Sequence, residues 1–188
     1  MRLCSESTSI IKKMKTNQME IKRLTTLHKT EYQNLILQGV AAHPESFRIS
    51  VKDVKESEPP FAVEQADDFT LGAFDENETL VGAVSFERER REKLRHKGLI
   101  YRMYVPSTEA GKGVGRKILR AAIERARAID GLEQINLTVV ATNERAKRLY
   151  ESEGFISFSQ EKQAIKTGAK YFDEETMVLR LKRKPKLQ

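Results

Sequence analysis

Three glycines at alternate positions mark the segment of this sequence best suited to chemistry. Gly111, Gly113 and Gly115 lie in "AGKGVGRKILRAAIERA", with the cations Lys112 and Arg116 beside them. Glycine permits a tight turn that exposes successive backbone N–H groups. Such groups at the start of a helix form an anion site that the helix dipole reinforces. The segment therefore predicts a phosphate-binding loop, with a ligand-free glycine turn as the alternative.

Two common phosphate-binding loops fit this segment poorly. A P-loop requires G-x-x-x-x-G-K-[ST], but the spacing from Gly111 to Gly115 is one residue short and Arg116 replaces the lysine. A dinucleotide-binding fold requires G-x-G-x-x-G and an acidic residue after the next strand. Here the next strand, "QINLTVV", is followed by Ala141 and Thr142. A third kind of phosphate site must therefore be considered.

Periodicity along the chain predicts the elements that must position this loop. Strands are expected at 19–24, 69–74, 80–87, 98–105, 134–140, 155–160 and 170–181, with an irregular link around Gly168 before the last. Helices are expected at 27–38, ending at Gly39, and at 51–57. A third helix is expected at 113–129, with one apolar stripe that recurs at four-residue steps. A short fourth helix is expected between Asn143, as its N-cap, and Gly154, as its C-terminal stop. A hairpin followed by two strand–helix–strand crossovers predicts an α/β fold. Its core is a single mixed β-sheet of about seven strands with helices on both faces.

The positive charge of the chain is concentrated at its two ends. The 34 Lys and Arg residues exceed the 27 Asp and Glu residues by 7. Residues 1–17 carry a net +3 and residues 182–188 a net +4, so 18–181 is neutral. We therefore expect a basic, disordered extension at 1–17, one folded domain at 18–181 and a basic tail at 182–188. Nucleic-acid binding by a basic face of the domain is not expected.

Hydropathy and cysteine content favour a cytoplasmic protein. No apolar run approaches the roughly 20 residues of a membrane span, and the first residues lack the apolar stretch of a secretory signal. Cys4 is the one cysteine, so no disulfide is expected within the chain. His and Cys residues show no metal-ligand spacing, and no metal site is predicted.

A second motif follows the glycine loop. It reads N-x-x-A-x-x-L-Y-x-x-x-G-F and comprises Asn143, Ala146, Leu149, Tyr150, Gly154 and Phe155. Together with the strand "YRMYV" and the loop "AGKGVG", it resembles the GNAT superfamily of acyl-CoA N-acyltransferases over about 98–160. The sequence departs from the family at Ala110, where the pyrophosphate loop usually has Arg or Gln. The resemblance implies a sheet with a central splay and acetyl-CoA as the acyl donor.

The resemblance also implies how acetyl-CoA is bound. The pantetheine arm is expected along the strand edge at Met103, Tyr104 and Val105, as an added strand. The sheet should open just after Val105, whose N–H is then a candidate oxyanion donor. The other expected cofactor-binding residues are Gly111, Lys112, Gly113, Val114, Gly115 and Arg116 in the loop, and Asn143, Ala146 and Tyr150 in the second motif.

Catalysis requires a proton donor and a proton acceptor. Tyr150 is the candidate acid for the departing thiolate, and a core tyrosine is the alternative. Glu87 and Glu89, at the end of a strand, are candidate bases, although a solvated strand end beside arginines would look the same. Further candidates are Asp173, Glu174 and Glu175 in the last strand.

The sequence predicts an N-acetyltransferase that moves the acetyl group directly to a primary amine, without an acyl-enzyme. The sequence does not distinguish between a polyamine, an antibiotic, an amino acid and a protein N-terminus as the acceptor. Homodimers are common in the resembling family, so a homodimer is a further expectation. The alternative functions are a non-catalytic acyl-CoA sensor and a module that contacts nucleic acid through the basic tails.

Overall fold

An open, seven-stranded β-sheet organises the chain. The structure is a computed structural model that describes residues 19–63 and 65–181. The strands are β1 (Glu20–Arg23), β2 (Phe69–Phe74), β3 (Leu80–Arg88), β4 (Lys97–Tyr104), β5 (Gln134–Val140), β6 (Ile156–Thr167) and β7 (Lys170–Arg180). The helices are α1 (Lys29–Ala42), α2 (Val51–Glu56), α3 (Val114–Arg127) and α4 (Glu144–Ser152). Cys4 and the basic extensions at 1–17 and 182–188 lie outside the described residues.

The sheet order is β1-β2-β3-β4-β5-β7-β6. Neighbouring strands run antiparallel except β4 and β5, which are parallel because α3 connects them as a crossover. The mixed sheet with helices on both faces, predicted from the sequence, is confirmed. Its two faces carry separate hydrophobic clusters, one under α3 and one under α1 and α2.

The face of the sheet under α3 holds the larger cluster. The apolar stripe predicted for this helix is buried, and its members are Val114, Ile118, Leu119, Ala122, Ile123 and Ala126. Full burial of each larger side chain contributes roughly 1.5–3 kcal/mol to folding. The stripe therefore fixes the direction of α3 and, with it, the position of the glycine loop at its start.

The centre of the sheet opens because β4 and β5 pair over a short stretch. Their pairs are Lys97–Gln134, Gly98–Ile135 and Leu99–Asn136. The expectation that the sheet opens after Val105 is therefore wrong, since the strands part after Leu99. A β-bulge in β4 explains the early parting: the register against β3 shifts by one residue, and Arg102 has a φ of 48°. A bulge bends its strand and increases the local twist.

Two other expectations are also corrected. The first helix was expected to end at Gly39, but α1 continues to Ala42. A Cβ at Gly39 would lie 2.9 Å from atoms of Phe47 and Tyr104, so this glycine permits close packing rather than a helix end. The link around Gly168 was expected to be irregular, but β6 extends to Thr167 because two register shifts accommodate its extra residues.

No helix among the described residues is long and apolar enough to cross a membrane.

The close packing between β3 and β4 can be tested at Gly98. A Cβ there would lie 2.3 Å from Cζ of Phe86, whose ring stacks on Phe69 with centroids 4.9 Å apart. We expect Gly98→Ala to lower the free energy of unfolding by about 1–3 kcal/mol through overpacking. Urea denaturation measures the change.

A double variant provides the control for this prediction. Phe86→Leu removes the ring that the new methyl group would meet, so Gly98→Ala should cost less in that background. Equal losses in both backgrounds would contradict the packing explanation.

Candidate active site

The glycine loop forms an open concave turn at the start of α3. Gly111 and Gly113 have φ values of 79° and 78°, in the left-handed region that favours glycine. A Cβ at either position would meet nothing within 4 Å, so the inner surface of the turn faces open space. The Lys117 N–H donates to the Gly113 carbonyl at 3.0 Å as the helix begins. The preceding amides of the first turn are thus available for an anion.

The two loop cations are held by carboxylates of the protein. Lys112 Nζ lies 3.0 Å from Glu109 Oε2. Arg116 Nε lies 3.5 Å from Glu153 Oε1. This distance allows charge attraction but is long for a hydrogen bond, and the buried Oε1 has no hydrogen-bond partner among the described residues. These carboxylates offset much of the local positive charge. The backbone amides and the helix dipole are therefore the groups of the loop that are best suited to an anion.

The remaining loop residues pack the helix start against its neighbours. Val114 is buried, so its amide rather than its side chain faces a ligand. A Cβ at Gly115 would lie 3.4 Å from Leu149 and 3.7 Å from Met103. These are ordinary van der Waals distances, so the start of α3 lies beside α4 and β4, and packing alone does not require glycine at position 115.

The edge of β4 beyond Leu99 has no strand partner on the β5 side. Met103 and Val105 are partly buried there and pack against the cluster under α3. The Tyr104 side chain is buried on the opposite face, with its ring centroid 6.1 Å from that of Phe47. Tyr104 can therefore offer a ligand only backbone groups. The edge has the unpaired N–H and C=O groups that an extended ligand requires.

Tyr150 extends from α4 toward this edge. Its side chain is 8% exposed, and its hydroxyl lies 3.9 Å from Met103 Sδ. Burial raises the pKa of Tyr150 to about 12. The phenol is consequently protonated throughout the physiological range and can donate a hydrogen bond to a group lying along β4.

The start of α4 is held by a cap and an ion pair. Asn143 Oδ1 accepts from the Ala146 N–H at 3.1 Å, the capping role expected of this residue. Lys147 Nζ bonds Glu175 Oε1 on β7 at 2.8 Å. Both interactions fix α4, and with it Tyr150, relative to the open edge.

The two candidate bases differ in their surroundings. Glu87 has a raised pKa, chiefly through partial burial of its charge and secondly through the charge of Asp68, although part of its side chain is exposed. Glu89 is bound by Arg91 at 2.7 Å and by backbone amides, which lower its pKa to about 2. Glu87 is therefore the better proton acceptor, since Glu89 is already committed to Arg91.

The candidates in the last strand are all engaged by cations. Asp173 bonds Lys162 at 2.8 Å, and Glu175 bonds Lys147. Glu174 is buried and accepts from Arg48 Nε at 2.7 Å. These pairs tie β7 to its neighbours and leave the three carboxylates less available for proton transfer.

The sequence analysis missed a group of polar side chains under α1. Thr70 and Ser85, on β2 and β3, are fully buried, and their hydroxyl oxygens are 3.0 Å apart. The buried Tyr32 hydroxyl approaches Ser85 Oγ to 3.5 Å. Tyr101 lies opposite Ser85, and burial raises its pKa, with the nearby charge of Glu87 adding to the effect. The available signal was two hydroxyl residues inside otherwise apolar strands.

No cluster of three or more His, Cys, Asp or Glu side chains suited to a metal ion occurs among residues 19–63 and 65–181.

Comparison with known proteins places this geometry in a family. The sequence model of the acetyltransferase (GNAT) family matches residues 21–155. A mycothiol acetyltransferase of Propionibacterium freudenreichii is 41% identical over 85 residues, which is 45% of this chain. The match spans only 27% of that relative's length.

Solved structures share the fold at low sequence identity. The yncA protein of Salmonella typhimurium, solved with acetyl-CoA, has a TM-score of 0.77 at 22% identity over 89% of this chain and 96% of its own. A GNAT-family acetyltransferase of Streptococcus pneumoniae has a TM-score of 0.74 at 20% identity over 87% of this chain and 100% of its own. The family match covers more than half of the chain and agrees with the fold and with the glycine loop. The chain therefore belongs to the acetyltransferase (GNAT) family, as its sequence predicted.

Proposed function

We propose that this acetyltransferase moves the acetyl group of acetyl-CoA directly onto a primary amine. The observation that carries the proposal is the buried Tyr150 phenol beside the unpaired edge of β4, 3.9 Å from Met103 Sδ. The glycine loop lies at the adjacent start of α3. A phosphate site, an extended backbone edge and a proton donor thus occur in the order that acetyl-CoA requires.

Backbone groups make most of the proposed contacts to the donor. The amides of Gly111 and of 113–116 are proposed to bind the pyrophosphate, since the Lys112 N–H already donates to the Glu109 carbonyl at 3.4 Å. The β4 edge at Met103 and Val105 is proposed to pair with the pantetheine arm. Acetyl-CoA supplies an activated thioester. The Val105 N–H is proposed to stabilise the oxyanion that forms when the amine attacks. Side chains of α3 and α4 mainly hold these backbone groups in position.

Tyr150 is proposed to act on the departing sulfur. A thiol has a pKa near about 8.5, well below the value of about 12 for this phenol. Complete proton transfer to a free thiolate is therefore uphill. Tyr150 acts first as a hydrogen-bond donor that stabilises the developing thiolate, and the proton lost by the amine nitrogen balances the reaction.

Glu87 is proposed to accept the proton that the ammonium form of the substrate loses before attack, whereas the second proton, lost by the nitrogen after attack, goes to the thiolate. Glu87 pairs with Leu99 on β4, whereas Ala83, four residues earlier on β3, pairs with Tyr104. Val105 therefore lies five residue positions along the sheet from Glu87. At roughly 3.3 Å per residue the separation is about 17 Å. Direct contact between Glu87 and the attacking amine is thus excluded, and the proton must pass through water in the open cleft.

The acceptor is proposed to be a small amine that enters from the α1 side of the sheet, where the polar side chains under α1 lie. The homodimer and the cytoplasmic location stay predictions.

The first test addresses the loop. Gly113→Asp adds a carboxylate beside the proposed pyrophosphate site, and like charges at such a distance cost several kcal/mol. We expect the Kd for acetyl-CoA to rise at least about tenfold by calorimetric titration.

Gly168→Asp is the matched control because Gly168 also has a positive φ, 59°, and also faces open space. It shares the backbone strain but lies in the β6–β7 turn. Equal affinity losses in Gly113→Asp and Gly168→Asp would contradict the loop assignment.

The second test addresses the proton donor. We expect Tyr150→Phe to lower kcat about 100-fold, since it removes one proton donor from the transition state. The Kd for acetyl-CoA should change little, because the proposed hydrogen bond strengthens only as negative charge develops on the sulfur. Tyr171→Phe, at an exposed tyrosine of β7, should leave both quantities unchanged.

Unchanged kcat in Tyr150→Phe would remove this residue from the mechanism. If the wild type bound acetyl-CoA but acetylated no amine, the result would favour the alternative function, a non-catalytic acyl-CoA sensor.

The third test uses the pH dependence of kcat. A base must be deprotonated, so activity should fall as pH drops through the raised pKa of Glu87. Glu87→Gln should lower the maximal kcat about 100-fold and abolish this decrease in kcat at low pH. Glu89→Gln should retain it, because a group with a pKa of about 2 stays ionised over the assay range. The reverse pattern would identify Glu89 as the base.

A further inference from the structure

Arg102 occupies an unusual place near the point where β4 parts from β5. It lies in the bulge of β4 with a φ of 48°, a conformation that non-glycine residues seldom adopt. The bulge sets two consecutive residues, Arg102 and Met103, opposite the single β3 residue Val84. Strained backbone beside an open strand edge indicates that the position of the side chain matters for function.

The guanidinium of Arg102 has aromatic neighbours and no ionic partner among the described residues. It lies 5.9 Å from the ring centroid of Tyr101 and interacts with the Tyr32 hydroxyl. No carboxylate of the described chain forms an ion pair with it within 4.0 Å, whereas Arg48, across the cleft wall, is paired with Glu174. Glu87 acts on Arg102 only from a longer distance.

A half-buried guanidinium without an ionic partner is suited to bind an anion. Desolvation makes such a charge costly unless a partner satisfies it. Its planar fork fits a carboxylate through two parallel hydrogen bonds. Arg102 interacts with Tyr32 under α1, whereas Met103 packs against the cluster under α3. The anion would therefore be held on the α1 side of β4, three residues before Val105.

We propose that the acceptor is an amine that carries a carboxylate near its amino group, as a free amino acid does, and that Arg102 binds this carboxylate. The inference rests on the proposed acetyl transfer and names its substrate class. Arg102 precedes Val105, the candidate oxyanion donor, by three residues, which is about 10 Å along a strand. The long Arg102 side chain can span part of this distance, so the separation between the two groups of the acceptor is short. Polyamines, which have no carboxylate, would place a positive charge against Arg102 and are disfavoured.

The experiment compares acceptors with and without the carboxylate, and each kcat/KM is referred to the concentration of free amine, because esterification also lowers the pKa of the amino group. CoA release is measured with the full chain, acetyl-CoA and each of the standard L-amino acids, then with their methyl esters and with spermidine. We expect kcat/KM for the best amino acid to exceed that for its ester by at least about tenfold, as for a lost charged hydrogen-bond pair.

Variants of Arg102 assign the preference to this residue. Arg102→Gln should lower kcat/KM for the amino acid about tenfold or more, mainly through KM, and leave the ester nearly unchanged. Arg102→Lys keeps the charge but loses the fork, so an intermediate effect is expected. Arg127→Gln is the control, since Arg127 is exposed on α3 and paired with Glu124. Thermal melting verifies that each variant folds.

Binding without turnover separates this inference from the proposed function. Saturation-transfer NMR measures binding of the amino acids and their esters to the wild type and to Arg102→Gln in the presence of CoA. If Arg102→Gln weakened binding of the amino acid but not of its ester, the result would support the inference even if no acetylation occurred. The absence of acetylation would instead overturn the proposed transfer. Equal use or binding of acids and esters, or equal effects of Arg102→Gln on both, would overturn the inference.

Discussion

The short pairing between β4 and β5 is the constraint on which the site depends. Three residue pairs join these strands before they part. Buried backbone N–H and C=O groups are almost always paired in folded proteins, so an open central edge is a costly feature that needs a physical cause. The bulge at Arg102 supplies it by bending β4 away from β5, while β3 continues to pair with β4 on the other side. The resulting gap exposes extended backbone in the middle of a sheet rather than at its margin.

Two buried carboxylates beside the gap are each held by a largely exposed arginine. Arg120 bonds Glu153, whose side chain is 9% exposed, at 2.8 Å and so joins α3 to the end of α4. Glu174 is similar, because its side chain is 5% exposed and is held by Arg48. Loss of Arg48 would leave a buried charge without compensation, so this pair holds the connection after α1 against β7.

The sequence predicted well what depends on local pattern. The stripe of α3, the glycine turn and the Asn143 cap each follow from spacing within one segment, and the structure has all of them. The mixed sheet followed from the order of strands and helices. The glycine loop could be assigned to a phosphate because its residue types restrict the backbone directly.

What the sequence could not predict depends on contacts between distant segments. The point at which β4 leaves β5 is set by a bulge, and no residue type in "GLIYRMYV" indicates one. Gly39 looked like a helix end because its close packing against Tyr104 involves residues far apart in the chain. The difference between Glu87 and Glu89 arises from Arg91 and Asp68. Two glutamates separated by one residue cannot be ranked as proton acceptors until the folded positions of their neighbours are known.

The geometry of β4 separates recognition of the donor from recognition of the acceptor. The donor is proposed to pair with backbone groups along the strand edge, which every residue type provides. The side chains of Tyr101 and Arg102 lie with Tyr32 and Glu87 under α1, where the acceptor is proposed to enter. Substitutions at these side chains can therefore change which amine is chosen without altering the groups that hold acetyl-CoA. In this proposal, one strand offers backbone groups to the donor on its edge and side chains to the acceptor on its face.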